Sequence, residues 1–215
     1  MADPICTIVM PTLDLDRGAQ TMRLARSTAG IDTDGLLLVD YKMRGAVKLN
    51  NALFKAALHL ETPFICYLND DTIPSQRDWL KLLIQGLRMN NRYGMACPSG
   101  ECSTTPQKSG KPGDPFEVHV VKGPLAWFVA AVRAEALRDV GLFDEGFIHY
   151  GDESDWVQRA MRKGWKQIWV KGVYIQHLRG NHNENGQLRN QWAKHDKRRY
   201  RKKWVHKPKG GTGDG

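Results

Sequence analysis

The chain has 215 residues, with 32 Lys and Arg against 23 Asp and Glu, a net charge of +9 and 41% hydrophobic residues. That length and balance suit one globular domain with a substantial core, with or without an extension. They exclude a collagen-like chain, a wholly disordered chain and a disulfide miniprotein.

Residues 5–10 (ICTIVM) read as a buried strand ended by Pro11 and Thr12. A helix is predicted over 17–29, stopped by Gly30. The run 36–39 (LLLV) is a second strand ending at Asp40. Leu49, Ala52, Leu53, Ala56 and Ala57 fall at helical spacing over 48–58. FICYL at 64–68 is a third strand, followed at once by Asn69, Asp70 and Asp71. A Leu-rich helix beginning near Trp79 leads to a fourth strand near 94–97. Residues 98–115, rich in Ser, Thr, Gly, Pro and Lys, read as a long flexible loop of the kind that forms lids. Strand-like runs at 116–121 and 125–132, a short helix at 134–140 and a helix from Glu153 to Lys163 follow. Two short β-like runs, 166–170 and 173–176, lead to His177, and a helix is expected from 186 into a frayed GGTGDG end.

Strands alternating with helices predict an α/β fold with a mainly parallel sheet. Ligands in such sheets bind beyond the carboxyl ends of the strands. Here those ends carry Pro11-Thr12, Asp40 and Asn69-Asp70-Asp71, so the topology alone places a candidate site on one edge.

Cys6 and Cys66 lie in apolar runs, and Cys97 and Cys102 have no second pair to complete a zinc site. A reducing compartment is expected. There is no apolar run near the roughly 18 residues of a membrane span, and no signal-peptide pattern, so the reading is soluble and cytoplasmic. Residues 194–209 carry nine Lys or Arg and one Asp, leaving the rest of the chain near neutral. Such a tail reads as a solvated terminus, as a peripheral contact with an anionic inner membrane surface in which Tyr200 and Trp204 take part, or as a polyanion binder.

Two acidic clusters carry the chemistry. Adjacent carboxylates at Asp70 and Asp71 need compensation, which a hard divalent cation shared with substrate phosphates provides; a helix cap is the plainer reading. Asp144 and Glu145, then Asp152, Glu153 and Asp155, form the second. Asp152 and Glu153 precede a helix, where a carboxylate caps the N-terminus or acts as a general base on a hydroxyl.

These segments resemble glycosyltransferase family 2, with its GT-A fold, close to its rhamnosyltransferase-like members. The resemblance runs over most of residues 5–180 through ICTIVMPTLD, VDYKMRGAVKLNNALFKAA, FICYLNDDTIP, VGLFDEGFIHYGDESDWVQRAMRKGW and QHLRG. It implies a Rossmann-like central sheet flanked by helices, with a small additional β element. The GT-A domain would span 1–185: a nucleotide-binding half to about 97, the loop 98–115, and an acceptor and catalytic half from 116. Residues 186–215 would be a basic extension.

The resemblance implies metal-dependent, inverting transfer of a sugar from a nucleotide diphosphate, UDP being favoured, to a hydroxyl on a glycan or lipid-linked acceptor. Pro11, Thr12 and Asp40 fall where relatives hold the base and ribose. Asn51 matches the second motif, Asn69 and Asp70 lie by the ribose and diphosphate, and Asp71 with His177 matches the ligands of Mn2+ or Mg2+. Glu153 takes the base position beside Asp152, in reversed order from the family's Glu-Asp. Lys48 stands near Asn50, where many relatives carry a phosphate-binding Arg. Trp127, His149 and Asp155 are the acceptor-side candidates. The competing readings are a nucleic-acid or polyanion module, which the +8 tail favours and the acidic clusters do not, and an inactive GT-A-like binding protein. A sugar nucleotidyltransferase is disfavoured by PTLDLDRGAQ where such enzymes carry a Gly-rich, basic loop.

Overall fold

The alternation within each strand decides which side chain meets which layer. In β3 (Phe64–Leu68), Phe64, Cys66 and Leu68 join one core cluster while Ile65 and Tyr67 join the other. The same split runs through β1 (Cys6–Thr12), with Ile8 and Met10 on one face and Val9 on the opposite one. The computed structural model describes residues 4–102, 106–178 and 186–205. Residues 103–105 of the expected loop, Arg179 and Gly180 of the QHLRG segment and the expected frayed end lie outside the described residues.

The architecture is α/β, with a mostly parallel mixed sheet between helices and a separate two-stranded sheet. The remaining strands are β2 (Thr33–Val39), β4 (Thr72–Ile73), β5 (Tyr93–Ser99), β6 (Val118–Val121), β7 (Val129–Arg133), β8 (Lys166–Tyr174) and β9 (Gln176–His177). The helices are α1 (Leu15–Thr28), α2 (Ala46–His59), α3 (Trp79–Arg88), α4 (Ala134–Val140), α5 (Asp152–Arg162) and α6 (Gly186–Tyr200). The main sheet runs β2-β1-β3-β7-β5-β8-β6, and β4 pairs with β9 apart from it.

Helices α1 and α3 supply Met22, Ala25, Trp79, Leu80, Leu83 and Leu87 to one face of the sheet. Leu53 and Phe54 of α2, Leu137 of α4 and Trp156 of α5 cover the other. Trp79, Phe54 and Trp156 are almost wholly buried, and truncating such a ring to Ala costs about 3–5 kcal/mol. No helix among the described residues is long and apolar enough to cross a membrane.

Several details differ from the sequence expectation, and the two short runs expected at 166–170 and 173–176 form one strand to Tyr174. Strand β1 continues through Pro11 and Thr12 in register with Leu38 and Val39. Its pairing with β3 ends at Val9, so Pro11 sits beyond the last rung on that side and its missing N–H breaks no ladder there. Strand β7 runs antiparallel between β3 and β5. Strand–helix alternation counts the crossovers but not the neighbours, and a strand from the second half of the chain fills the middle of the sheet. The sheet therefore runs through both expected halves.

The segment after β5 folds around Gln107, which is fully buried. Its side-chain amide donates to the carbonyls of Pro98 and Ala126 at 3.0 and 3.1 Å and accepts from Ala126 N–H at 2.6 Å. The basic C-terminal segment is docked through residue 205. Asp196 of α6, 1% exposed, accepts from the backbone N–H groups of Ile148, His149 and Tyr150 at 2.9–3.0 Å. Arg199 and Lys203 pair with Asp144, and Lys203 and Trp204 Nε1 bond Asp155 at 2.6 and 2.9 Å. Tyr200 packs against the core, and Arg162 lies over the Trp204 ring. The two aromatics expected at a membrane surface thus face the protein.

Candidate active site

The first wall of the site is the row of strand ends. Thr12 and Val39 are partners across β1 and β2, and Asp40 N–H donates to Thr12 O at 2.9 Å. The Asp40 carboxylate, 4% exposed, accepts from Arg44 N–H at 2.7 Å and so shapes the loop into α2. Gly45 ends that loop at φ 96°, and a Cβ there would lie 2.5 Å from Ile148 O. Only glycine lets the loop lie this close to the segment ahead of α5.

At the end of β3, Asp70 meets the Thr12 hydroxyl and the Arg17 guanidinium, whose Nη2 lies 2.7 Å from Oδ2. Arg17 compensates one of the two adjacent carboxylates. Asp71 faces His177 across the small sheet, with Nε2 3.2 Å from Oδ1. The imidazole is fixed from three sides. Its Nδ1 is 3.2 Å from the Glu101 carbonyl, its backbone N–H donates to the Glu101 carboxylate at 2.9 Å, and Phe128 stacks on it. A carbonyl only accepts, so a proton on Nδ1 satisfies that contact, and Nε2 is turned to Asp71. The Tyr174 hydroxyl donates to Glu101 at 2.6 Å. That bond, then burial, pushes the tyrosine up to about 12.

The second wall is the N-terminus of α5. Gly151 at φ 77° turns the chain into Asp152 and Glu153. Asp152 is 4% exposed. Burial, then the charge of Glu153 and a hydrogen bond shared with it, hold the Asp152 carboxyl well above the usual range.

Tyr67 links the two walls. Its hydroxyl donates to Asn69 Oδ1 at 2.7 Å. Burial raises its ionisation first, and the charges of Asp152, Glu153, Asp71 and Asp70 raise it further. The hydroxyl therefore lies in the field of both acidic clusters.

A cleft of about 670 Å³ lies over the strand ends, lined among others by Pro11, Thr12, Asp40, Asn69, Asp70, Asp71 and His149. Seven of the residues expected from sequence meet there. His177 lies against Asp71, and neither it nor Asp152 or Glu153 lines the cleft. Lys48 is exposed on α2 and does not line the cleft. Asn51 is buried, with Nδ2 3.0 Å from Phe143 O and 3.1 Å from Glu145 Oε1, and ties α2 to the segment before α5. Trp127 lies in the core against Trp156 and Phe143. Asp155, fully buried, anchors Arg159 and the C-terminal segment. The last four are thus placed away from the cleft.

Sequence reasoning missed Tyr67, Arg17, Glu101, Arg189 and Trp192. Arg189 and Trp192 come from α6 and line the cleft. The spacing 192, 196, 200 and 204 marked an inward helical face within the basic run.

No family model and no curated protein matches the chain. Solved structures do. A197 from STIV superposes with a TM-score of 0.54 at 12% identity, over 80% of this chain and 84% of that one. GalNAc-T7, a GT-A glycosyltransferase solved with UDP, GalNAc and Mn2+, superposes with a TM-score of 0.56 at 11% identity. That match covers 81% of this chain and 44% of GalNAc-T7. The fold is GT-A-like.

Among the described residues, no cluster of three or more His, Cys, Asp or Glu forms a ready-made metal cage. Asp71 and His177 nonetheless fit a cation shared with a substrate. A carboxylate oxygen and an oriented imidazole nitrogen lie 3.2 Å apart. A carbonyl behind the imidazole orients the ring, as ligating histidines usually require. Two protein donors would leave the remaining positions of such a cation to phosphate oxygens and water.

Proposed function

We propose that this chain is a glycosyltransferase. It moves a sugar from a nucleotide diphosphate, with UDP favoured, to an acceptor hydroxyl, with inversion and with a divalent cation. The observation that carries this reading is the gathering of Thr12, Asp40, Asn69, Asp70 and Asp71 in one cleft at the strand ends, with His177 against Asp71. A turn or a helix cap explains one such residue but not five from three strand ends in one cleft. The GT-A-like fold supports the reading.

Pro11, Thr12 and Asp40 flank the nucleoside end of the cleft, and Asn69 and Asp70 the diphosphate. Asp71 and His177 would hold the cation. When bound, Mn2+ or Mg2+ neutralises the charge that develops on the departing diphosphate. Asp152 is buried and Glu153 only partly so, and the role of base falls to Glu153. Glu153 takes the proton of the acceptor hydroxyl as its oxygen bonds to the anomeric carbon, and the bond from that carbon to the diphosphate oxygen breaks. Attack from the face opposite the leaving group inverts the centre.

The test is release of nucleoside diphosphate from a panel of nucleotide sugars with Mn2+, in the presence and absence of a mixed glycan acceptor pool. Acceptor-stimulated release from one donor, lost in Glu153→Gln, supports the reading. No release from any donor refutes it.

A further inference from the structure

We infer that α6 completes the site with an acceptor subsite for a sugar ring, built on the indole of Trp192 and the imidazole of His149. The inference rests on the transferase reading and names its acceptor as a glycan.

Five of the seven tryptophans, Trp79, Trp127, Trp156, Trp165 and Trp169, are at most 7% exposed and belong to the core. Trp204 lies beneath Arg162 and bonds Asp155. Trp192 alone among them is half-buried and lines the cleft. Its ring centroid is 5.5 Å from that of His149 at an interplanar angle of 37°, and Tyr150 backs the imidazole edge-on at 4.6 Å. Arg189, one turn earlier on the same helix face, lines the same wall.

The wall is rigid. Asp196, one turn beyond Trp192, holds the backbone N–H of His149 at 2.9 Å and those of its two neighbours. Two aromatic rings on two separate segments are thus locked to each other by one buried carboxylate. A flat apolar ring in a polar cleft suits the C–H face of a pyranose, whose hydroxyls point outward to polar groups. Its place points to the acceptor. His149 is three residues ahead of Asp152, so the ring platform stands on the segment that leads directly into the acid pair, where the hydroxyl losing its proton must lie.

Saturation-transfer NMR on the full chain, with methyl glycosides of glucose, galactose, mannose, rhamnose and N-acetylglucosamine, tests this. The inference expects at least one glycoside to receive saturation on the C–H protons of one ring face. Trp192→Ala weakens that binding about five- to tenfold, and Trp192→Phe largely keeps it. Trp192→Leu, which fills the space without a ring, gives the same loss and serves if the Ala variant fails to fold. No glycoside binding, or losses under twofold in the Ala and Leu variants, overturns the subsite. Nucleotide binding is read separately by thermal shift on the same samples. Glycoside binding through Trp192 with no nucleotide binding keeps the subsite and overturns the transferase reading.

Discussion

Replacing Asp196 by Ala tests whether the C-terminal helix is part of the folded domain. The carboxylate is 1% exposed and accepts from three consecutive backbone N–H groups at 2.9–3.0 Å. Each buried donor left without an acceptor costs about 1–3 kcal/mol. Water reaches part of the vacated site, so the three together cost about 3–5 kcal/mol instead of their full sum. In a chain of this size that lowers Tm by roughly 6–20 °C. Asp196→Asn keeps one accepting oxygen and loses about half as much. If undocking α6 costs less than this, the helix detaches before the core melts, and the loss in global stability stops at the docking energy. Hydrogen exchange separates the two cases: the amides of residues 148–150 lose protection in either, whereas the amides of β3 do so only when the whole domain is destabilised. A loss under about 1 kcal/mol with unchanged protection at 148–150 refutes the docking argument.

Three further outcomes follow from the site. Asp152 has a folded-state pKa above its unfolded value, so the unfolded state binds fewer protons and stability falls as pH rises from the ordinary carboxyl range. Asp152→Asn removes that penalty, and its stability relative to wild type is greater at pH 7 than at pH 4 in urea melts; equal differences at both pH values contradict the burial argument. Asp144 has the opposite sign. Burial works to raise it, but Lys203 and Arg199 outweigh this and hold it well below the usual range. Its contribution is present above the unfolded carboxylate value and fades as pH falls, so Asp144→Asn loses more stability at pH 7 than at pH 3. His177→Ala removes one cation donor and leaves the sheets intact. It weakens Mn2+ binding at least tenfold, by calorimetry in the presence of nucleotide, with a Tm shift of a few degrees; unchanged affinity removes His177 from the ligand set.

The strands and helices were largely legible because their signals are local. FICYL alternates between two cores, and its flanking polar residues set its length. The polar strand ends were also legible, since the position of Asp40 and Asn69–Asp71 follows from where the apolar runs stop. The neighbours in the sheet were not, because β7 enters from a segment more than sixty residues beyond β3. Asn51 and Asp155 show a second limit. A buried amide that ties two loops and a carboxylate that anchors an extension look, in sequence, like ligand-binding residues. The docking of α6 was obscured by charge. Lys194, Lys197, Arg198, Arg201 and Lys202 face solvent and dominate the composition, while Trp192, Asp196, Tyr200 and Trp204 on the other side do the packing. Tyr67, inside the FICYL run, carries no sign in sequence that it lines the cleft and bonds Asn69.

The most direct test is a thermal-shift titration with UDP, dTDP, GDP, ADP and CDP, each with and without Mn2+. At a nucleotide concentration about 100 times Kd, binding to the native state adds about 2.7 kcal/mol, which raises Tm by roughly 5–10 °C. The account predicts such a shift for one nucleotide, with UDP favoured, only when Mn2+ is present, and its loss in Asp71→Ala. No shift with any nucleotide, or a shift equal in the Asp71→Ala variant, contradicts it.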